Sequence, residues 1–211
     1  MVKRESVWLI APYATWMALM LALPATAAGY AIRTAAVAAL LAVGWARSRD
    51  ERDFNDKSDT GKICRLGLFC RFRLFSLSIA VGLFVFAIWV LPEQFDWAWY
   101  RRWFIVGEGG TRAVAEASAA MIAVRLVGSA FVISVAEELF FRKWLIGFAG
   151  FAWMVALFAV EHDRWLVGAI AGAIYGALYL RRGLLAAIVA HATTNLVLGL
   201  WVLRTGQWQF W

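Results

Sequence analysis

Apolar residues in this chain come in continuous blocks close to the length that crosses a bilayer core as helix, roughly 20 residues. The blocks are 7–23, 28–46, 74–91, a long stretch within 113–141, 145–160, 165–180 and 184–203. None of them alternates polar and apolar positions, so the pattern predicts helices rather than barrel strands. Between the blocks lie a charged stretch, 47–73, which reads as a solvated loop, and an aromatic-rich connector, 92–112, which reads as lying along an interface. The stretch 113–141 would cover about 43 Å as continuous helix at ~1.5 Å per residue. It is therefore expected to begin as an interfacial helix, with Glu116 and Arg125 near one surface. The fold class expected is all-α: a polytopic integral membrane protein of seven or eight transmembrane helices in a single membrane domain, 1–211. Residues 1–112 would be scaffold and 113–211 would carry the chemistry.

Composition strengthens that reading. The chain is 63% hydrophobic and 17% charged, against about half and a quarter in soluble domains. Several of its 13 tryptophans, including Trp8, Trp45, Trp89, Trp165 and Trp208, sit at block ends, where an amphipathic ring suits the headgroup region. If the N-terminus is inside, the inner segments hold 14 of the 21 basic residues. The bias favours a cytoplasmic N-terminus and an inner-membrane, multi-pass protein. The net charge of +7 then reflects topology and contact with anionic lipid. Nucleic acid is not expected as a partner, because the basic residues of 47–73 are interleaved with five acidic ones. Lys3-Arg4, the first apolar block and Ala25-Thr26-Ala27 resemble a signal peptide, but the block is long for one and a second follows at once. A retained first span is expected. Cys64 and Cys70 fall in the proposed loop without a His or further Cys, which argues against a metal site there.

The candidate chemistry is concentrated in 130–200. Glu137 and Glu138 lie side by side in Val132-Ile-Ser-Val-Ala-Glu-Glu-Leu-Phe-Phe-Arg142, and ionisable groups at membrane depth are costly and usually functional. Adjacent helical residues differ by ~100° in direction. Glu138 therefore meets Arg142 at i, i+4, and Glu137 is left to face a cavity as a base. A structural ion pair at a helix end is the competing explanation. His162 ends Phe158-Ala-Val-Glu-His162, with Glu161 beside it as a candidate partner, ligand or boundary charge. His191 and Asn195, again i, i+4, put an imidazole and an amide on one face of an apolar helix, either for chemistry or for interhelical hydrogen bonding. Counted from the inner side at ~1.5 Å per residue, Glu137, His191 and His162 lie roughly 8, 12 and 18 Å deep, so three helices could bring them together. Gly168, Gly172 and Gly176 have the small-xxx-small spacing that lets a neighbouring helix approach closely, which would clamp the site helices.

The order Glu-Glu-x-x-x-Arg, Phe-x-x-x-His, a glycine-spaced helix and His-x-x-x-Asn, over about 129–200, resembles the CPBP family of intramembrane proteases, which includes the type II CAAX prenyl endopeptidases and the bacterial Abi-type proteins. Glu161-His-Asp-Arg-Trp165 and the ending Thr205-Gly-Gln-Trp-Gln-Phe-Trp211 resemble a narrower subgroup that accompanies exosortase and PEP-CTERM sorting systems. The resemblance implies a helical membrane fold with a cavity open to the cytoplasmic side. It implies that Glu137 activates water with help from His162, that His191 and Asn195 stabilise the oxyanion, that Glu138 and Arg142 support Glu137, and that Phe158 shapes the cavity. The substrate implied is a membrane-associated protein or peptide, with exosortase or PEP-CTERM components as candidate partners. A cofactor-free glutamate mechanism is expected; zinc held by His162, His191 and Glu137 is the alternative. Two other functions compete: a non-catalytic partner or assembly factor of a sorting system, and an ion-coupled transporter, which would normally carry an internal repeat not seen here.

Overall fold

The computed structural model describes residues 4–24, 26–55, 68–95, 97–106 and 118–210; Cys64, Glu116 and 56–67 lie outside the described residues. Its elements are α1 (Arg4–Ala22), α2 (Ala27–Asn55), α3 (Leu68–Gln94), the short α4 (Ala98–Phe104), α5 (Ala119–Ala149), α6 (Phe151–Val160), α7 (Trp165–Arg182), α8 (Leu184–Thr205) and a closing 3-10 turn, Trp208–Phe210. Four of the described helices are long and apolar enough to cross a membrane: Ala27–Ser48, Leu74–Gln94, Ala119–Ala149 and Leu184–Thr205. Their outward faces carry large apolar side chains such as Phe84, Phe131, Phe148 and Leu200, as a lipid-facing surface requires.

Three sequence expectations change. The charged stretch after Arg47 is not loop from its start: α2 runs on to Asn55 and α3 begins at Leu68, already including Cys70. Arg and Glu are good helix formers, so the helix outlasts the apolar block. The expected span 145–160 is divided. Leu145 belongs to α5, and Gly150, at φ +88, breaks the chain before a ten-residue α6. Only a residue without Cβ takes that conformation cheaply, and hydropathy does not register it. At ~1.5 Å per residue α6 rises about 15 Å, half a bilayer core. Finally, α5 keeps its length as one helix by including two π-helical segments, Gly128–Ile133 and Glu138–Leu145.

Helix α8 lies at the centre and packs on α3, α5 and α7, while α6 packs on α7 and α1 on α2 and α5. The glycines of α7 receive α6. A Cβ on Gly168 would sit 3.2 Å from His162 Cβ, on Gly172 3.0 Å from Phe158 Cδ1, and on Gly176 2.6 Å from Met154 Cε. The stripe thus seats the helix that bears Phe158 and the start of the turn that bears His162. A fourth close approach, unseen in the sequence pattern, joins α3 to α8: a Cβ on Gly82 would overlap the Ala190 carbonyl oxygen and lie 2.7 Å from Thr193 Cβ. Gly82→Ala is therefore expected to push the two helices apart and to cost about 1–3 kcal/mol. Chemical denaturation in detergent checks this, and an unchanged midpoint would refute the close approach.

Candidate active site

The site forms where α5, α8 and the 161–164 turn meet. Glu138 is fully buried; its Oε1 accepts a hydrogen bond from His191 Nδ1 at 2.8 Å, and its Oε2 lies 3.2 Å from Arg142 Nε. The Arg142 side chain is also fully buried and its guanidinium nitrogens Nη1 and Nη2 make no hydrogen bond. Aromatic faces surround it instead: the guanidinium carbon is 4.2 Å from the Phe158 ring centroid, 5.5 Å from Tyr175 and 5.7 Å from Phe141. Cation–π attraction in a desolvated site is worth up to about 2 kcal/mol and replaces part of the lost hydration.

Glu137 points elsewhere. It lines a cavity of about 180 Å³ together with His162, His191, Asn195 and Phe158. Its Oε2 is buried without a hydrogen-bond partner, 3.7 Å from His191 Nε2. That separation is too long for a direct hydrogen bond and suits a bridging water. Because Glu138 accepts from Nδ1, the proton of His191 is placed on the Glu138 side and Nε2 faces Glu137.

His162 lies in the turn between α6 and α7. Its Nδ1 donates to the Phe158 carbonyl oxygen at 2.7 Å, and its ring packs on Phe158 and Trp89. Burial pushes its pKa down to about 4, against the pull of that hydrogen bond. At neutral pH the ring is uncharged and Nε2 is an acceptor. Asn195 lines the cavity, but both hydrogens of its amide are engaged: Nδ2 donates to the Ser129 carbonyl oxygen at 3.1 Å and to Ser134 Oγ at 3.0 Å. A carbonyl can only accept, so the amide orientation is settled. These bonds tie α8 to the π-helical segment just before Glu137. Among the described residues, no group of three His, Cys, Asp or Glu side chains converges closely enough to hold a metal ion.

Sequence reasoning missed several groups. Tyr175 stacks on His191 with ring centroids 4.9 Å apart, and its hydroxyl donates to Thr194 Oγ1, which donates to the Gly82 carbonyl oxygen. Thr194 sits inside the His191–Asn195 motif and could have been flagged as a further polar residue there; nothing marked Tyr175 or Gly82. Glu161, weighed in the sequence as a partner, ligand or boundary charge, lies in the turn beside His162. Its Oε2 is buried without a hydrogen bond, and its charge acts on both Tyr13 and Glu137. Lying in the turn outside the spans, it has its pKa raised by burial to about 7. A carboxyl of this kind costs no stability below 4.5, where folded and unfolded chains are both protonated, and costs progressively more as pH rises to about 7. Wild type is therefore expected to lose thermal stability across that window relative to Glu161→Gln. Melting curves in detergent from pH 4 to 8 test it; parallel profiles would contradict it.

Comparison with known proteins adds one positive finding. Residues 118–197 match the family model described as type II CAAX prenyl endopeptidase Rce1-like. No match was found among curated proteins or among solved structures. The matched segment contains Glu137, Glu138, Arg142, Phe158, His162, His191 and Asn195.

Proposed function

We propose that this chain, whose residues 118–197 match the family model described as type II CAAX prenyl endopeptidase Rce1-like, is an intramembrane endopeptidase of the CPBP kind. The observation that carries the reading is the buried, unpartnered Glu137 carboxylate oxygen on a cavity that it shares with two histidines. Water bound between Glu137 and His162 Nε2 attacks the carbonyl carbon of a membrane-associated polypeptide. Glu137 takes a proton from that water. The carbonyl oxygen becomes an oxyanion beside His191, which Glu138 holds through Nδ1 and whose Nε2 donates when protonated. The C–N bond then breaks and the amine leaves with the proton from Glu137.

Arg142 balances the charge of Glu138, and Phe158 and Tyr175 wall in the guanidinium. Asn195 acts through its bonds to Ser129 and Ser134, holding the turn that aims Glu137, rather than through a free donor. The mechanism proposed is metal-free; among the described residues no three His, Cys, Asp or Glu side chains are grouped as a metal site would need. Cleavage by protein reconstituted in liposomes is expected to survive prolonged chelator treatment, and loss of activity restored by added zinc would reverse this assignment.

The resemblance of 161–165 and 205–211 to exosortase-associated proteins supports substrates among PEP-CTERM-type sorted proteins, with the inner membrane as location. The test is comparative proteomics of a Glu137→Ala strain against wild type, reading new N- and C-termini. Identical termini in both strains, together with full complementation by the variant, would favour the non-catalytic partner instead.

A further inference from the structure

The cavity has two halves of different origin. Its polar half, with Glu137, His162 and His191, comes from the family-matched segment, whereas Trp89, Leu198, Gly199 and Phe210 lie outside 118–197. Phe210 reaches the cavity by a built route. Gly206 ends α8 in the left-handed conformation, φ +69, and turns the chain back. Gln207 then exchanges amide hydrogen bonds with Gln94 at the end of α3, at 2.6 and 3.3 Å, and accepts another from the Trp201 indole at 3.3 Å. The turn Trp208–Phe210 buries Phe210 among Val90, Leu198 and Val202. The Phe210 ring lies 4.7 Å from the guanidinium carbon of Arg164, which is itself paired with Glu93. The wall is therefore held on both sides, by amides and by a buried ion pair.

Size sets what this wall admits. The cavity measures about 180 Å³, and an apolar cavity of roughly 150 Å³ takes one benzene ring. One ring-sized side chain fills that space, which Glu137 and Phe210 both line; a long isoprenoid chain would have to displace Phe210 or turn out through the open side.

We infer that Phe210 is a specificity-determining residue, which favours an apolar substrate side chain of about one ring beside the scissile bond and disfavours a prenylated cysteine. The inference rests on the endopeptidase reading of the site. The scissile carbonyl faces His191 and the neighbouring side chain faces Trp89 and Phe210.

The experiment uses the full chain in liposomes and pooled synthetic peptides, degenerate at flanking positions, with Ala, Leu, Phe or S-farnesyl-cysteine at one fixed position. Products are read by mass spectrometry. Wild type is expected to cleave the Leu and Phe pools and to cleave the farnesyl-cysteine pool at least about tenfold more slowly. Phe210→Ala is expected to raise farnesyl-cysteine cleavage relative to Phe by about tenfold, and Phe210→Leu to fall between. If Phe210→Ala does not fold, the Phe210→Leu ratio decides. An unchanged ratio, or farnesyl-cysteine as the best wild-type substrate, overturns the inference while leaving the protease reading in place. No cleavage of any pool by wild type sinks the protease reading and the inference with it.

Discussion

Glu137→Gln is expected to lower peptide-bond cleavage by about a thousandfold while leaving the protein folded. A positioned general base contributes roughly 10² to 10⁴ in rate, and glutamine has the same shape without the basic oxygen. Folding should survive because Glu137 Oε2 has no hydrogen-bond partner and the buried ion pair belongs to Glu138. Removing a carboxylate that is buried and unpartnered relieves a desolvation cost, so the thermal midpoint should hold or rise. Product formation and melting in the same liposome preparation measure both quantities. Wild-type rates in a well-folded variant would remove Glu137 from the chemistry. A collapsed midpoint would show that the carboxylate is structural.

The second large effect concerns stability. Arg142→Met is expected to destabilise the protein by about 3–5 kcal/mol, the usual result of leaving one member of a buried ion pair uncompensated. Both side chains of the Glu138–Arg142 pair are fully buried, so no water is near enough to take over. The double variant Glu138→Gln with Arg142→Met should be more stable than Arg142→Met alone. It removes the orphaned charge yet keeps an acceptor for His191 Nδ1. Denaturant titrations in detergent of the two variants decide the matter. Equal instability would mean that Arg142 stabilises chiefly by filling space between Phe158, Phe141 and Tyr175.

Much of the site was legible because its parts are local. Glu138 and Arg142 are four apart on one helix, and one turn of geometry brings them to 3.2 Å. The glycine spacing of α7 announced a close neighbour, and α6 occupies it. Depth counting put Glu137 and His191 within reach of each other, and they lie 3.7 Å apart across the cavity. What stayed hidden depends on partners distant in sequence. The 2.8 Å bond from His191 to Glu138 joins residues 53 apart, and the pattern, which left that histidine open to chemistry or to interhelical hydrogen bonding, named no partner for it. The family resemblance made Asn195 an oxyanion donor, whereas its amide hydrogens go to Ser129, in a π-helical segment, and to Ser134 just after it, the interhelical bonding that the pattern alone left open.

By itself the sequence determined the helical class, the order of the apolar elements and the residue types that carry the chemistry. These follow from side-chain hydrophobicity and from the 3.6-residue period, both properties of short windows. The tertiary structure decided which histidine nitrogen meets which carboxylate, that Tyr175 and Phe158 wall in the buried guanidinium, and that Phe210, from the turn after α8, lines the cavity. The reason is physical. Rotamer, tautomer and cavity shape are set by the packing of α3, α5, α6 and α8 against one another, and packing is a property of the assembled bundle.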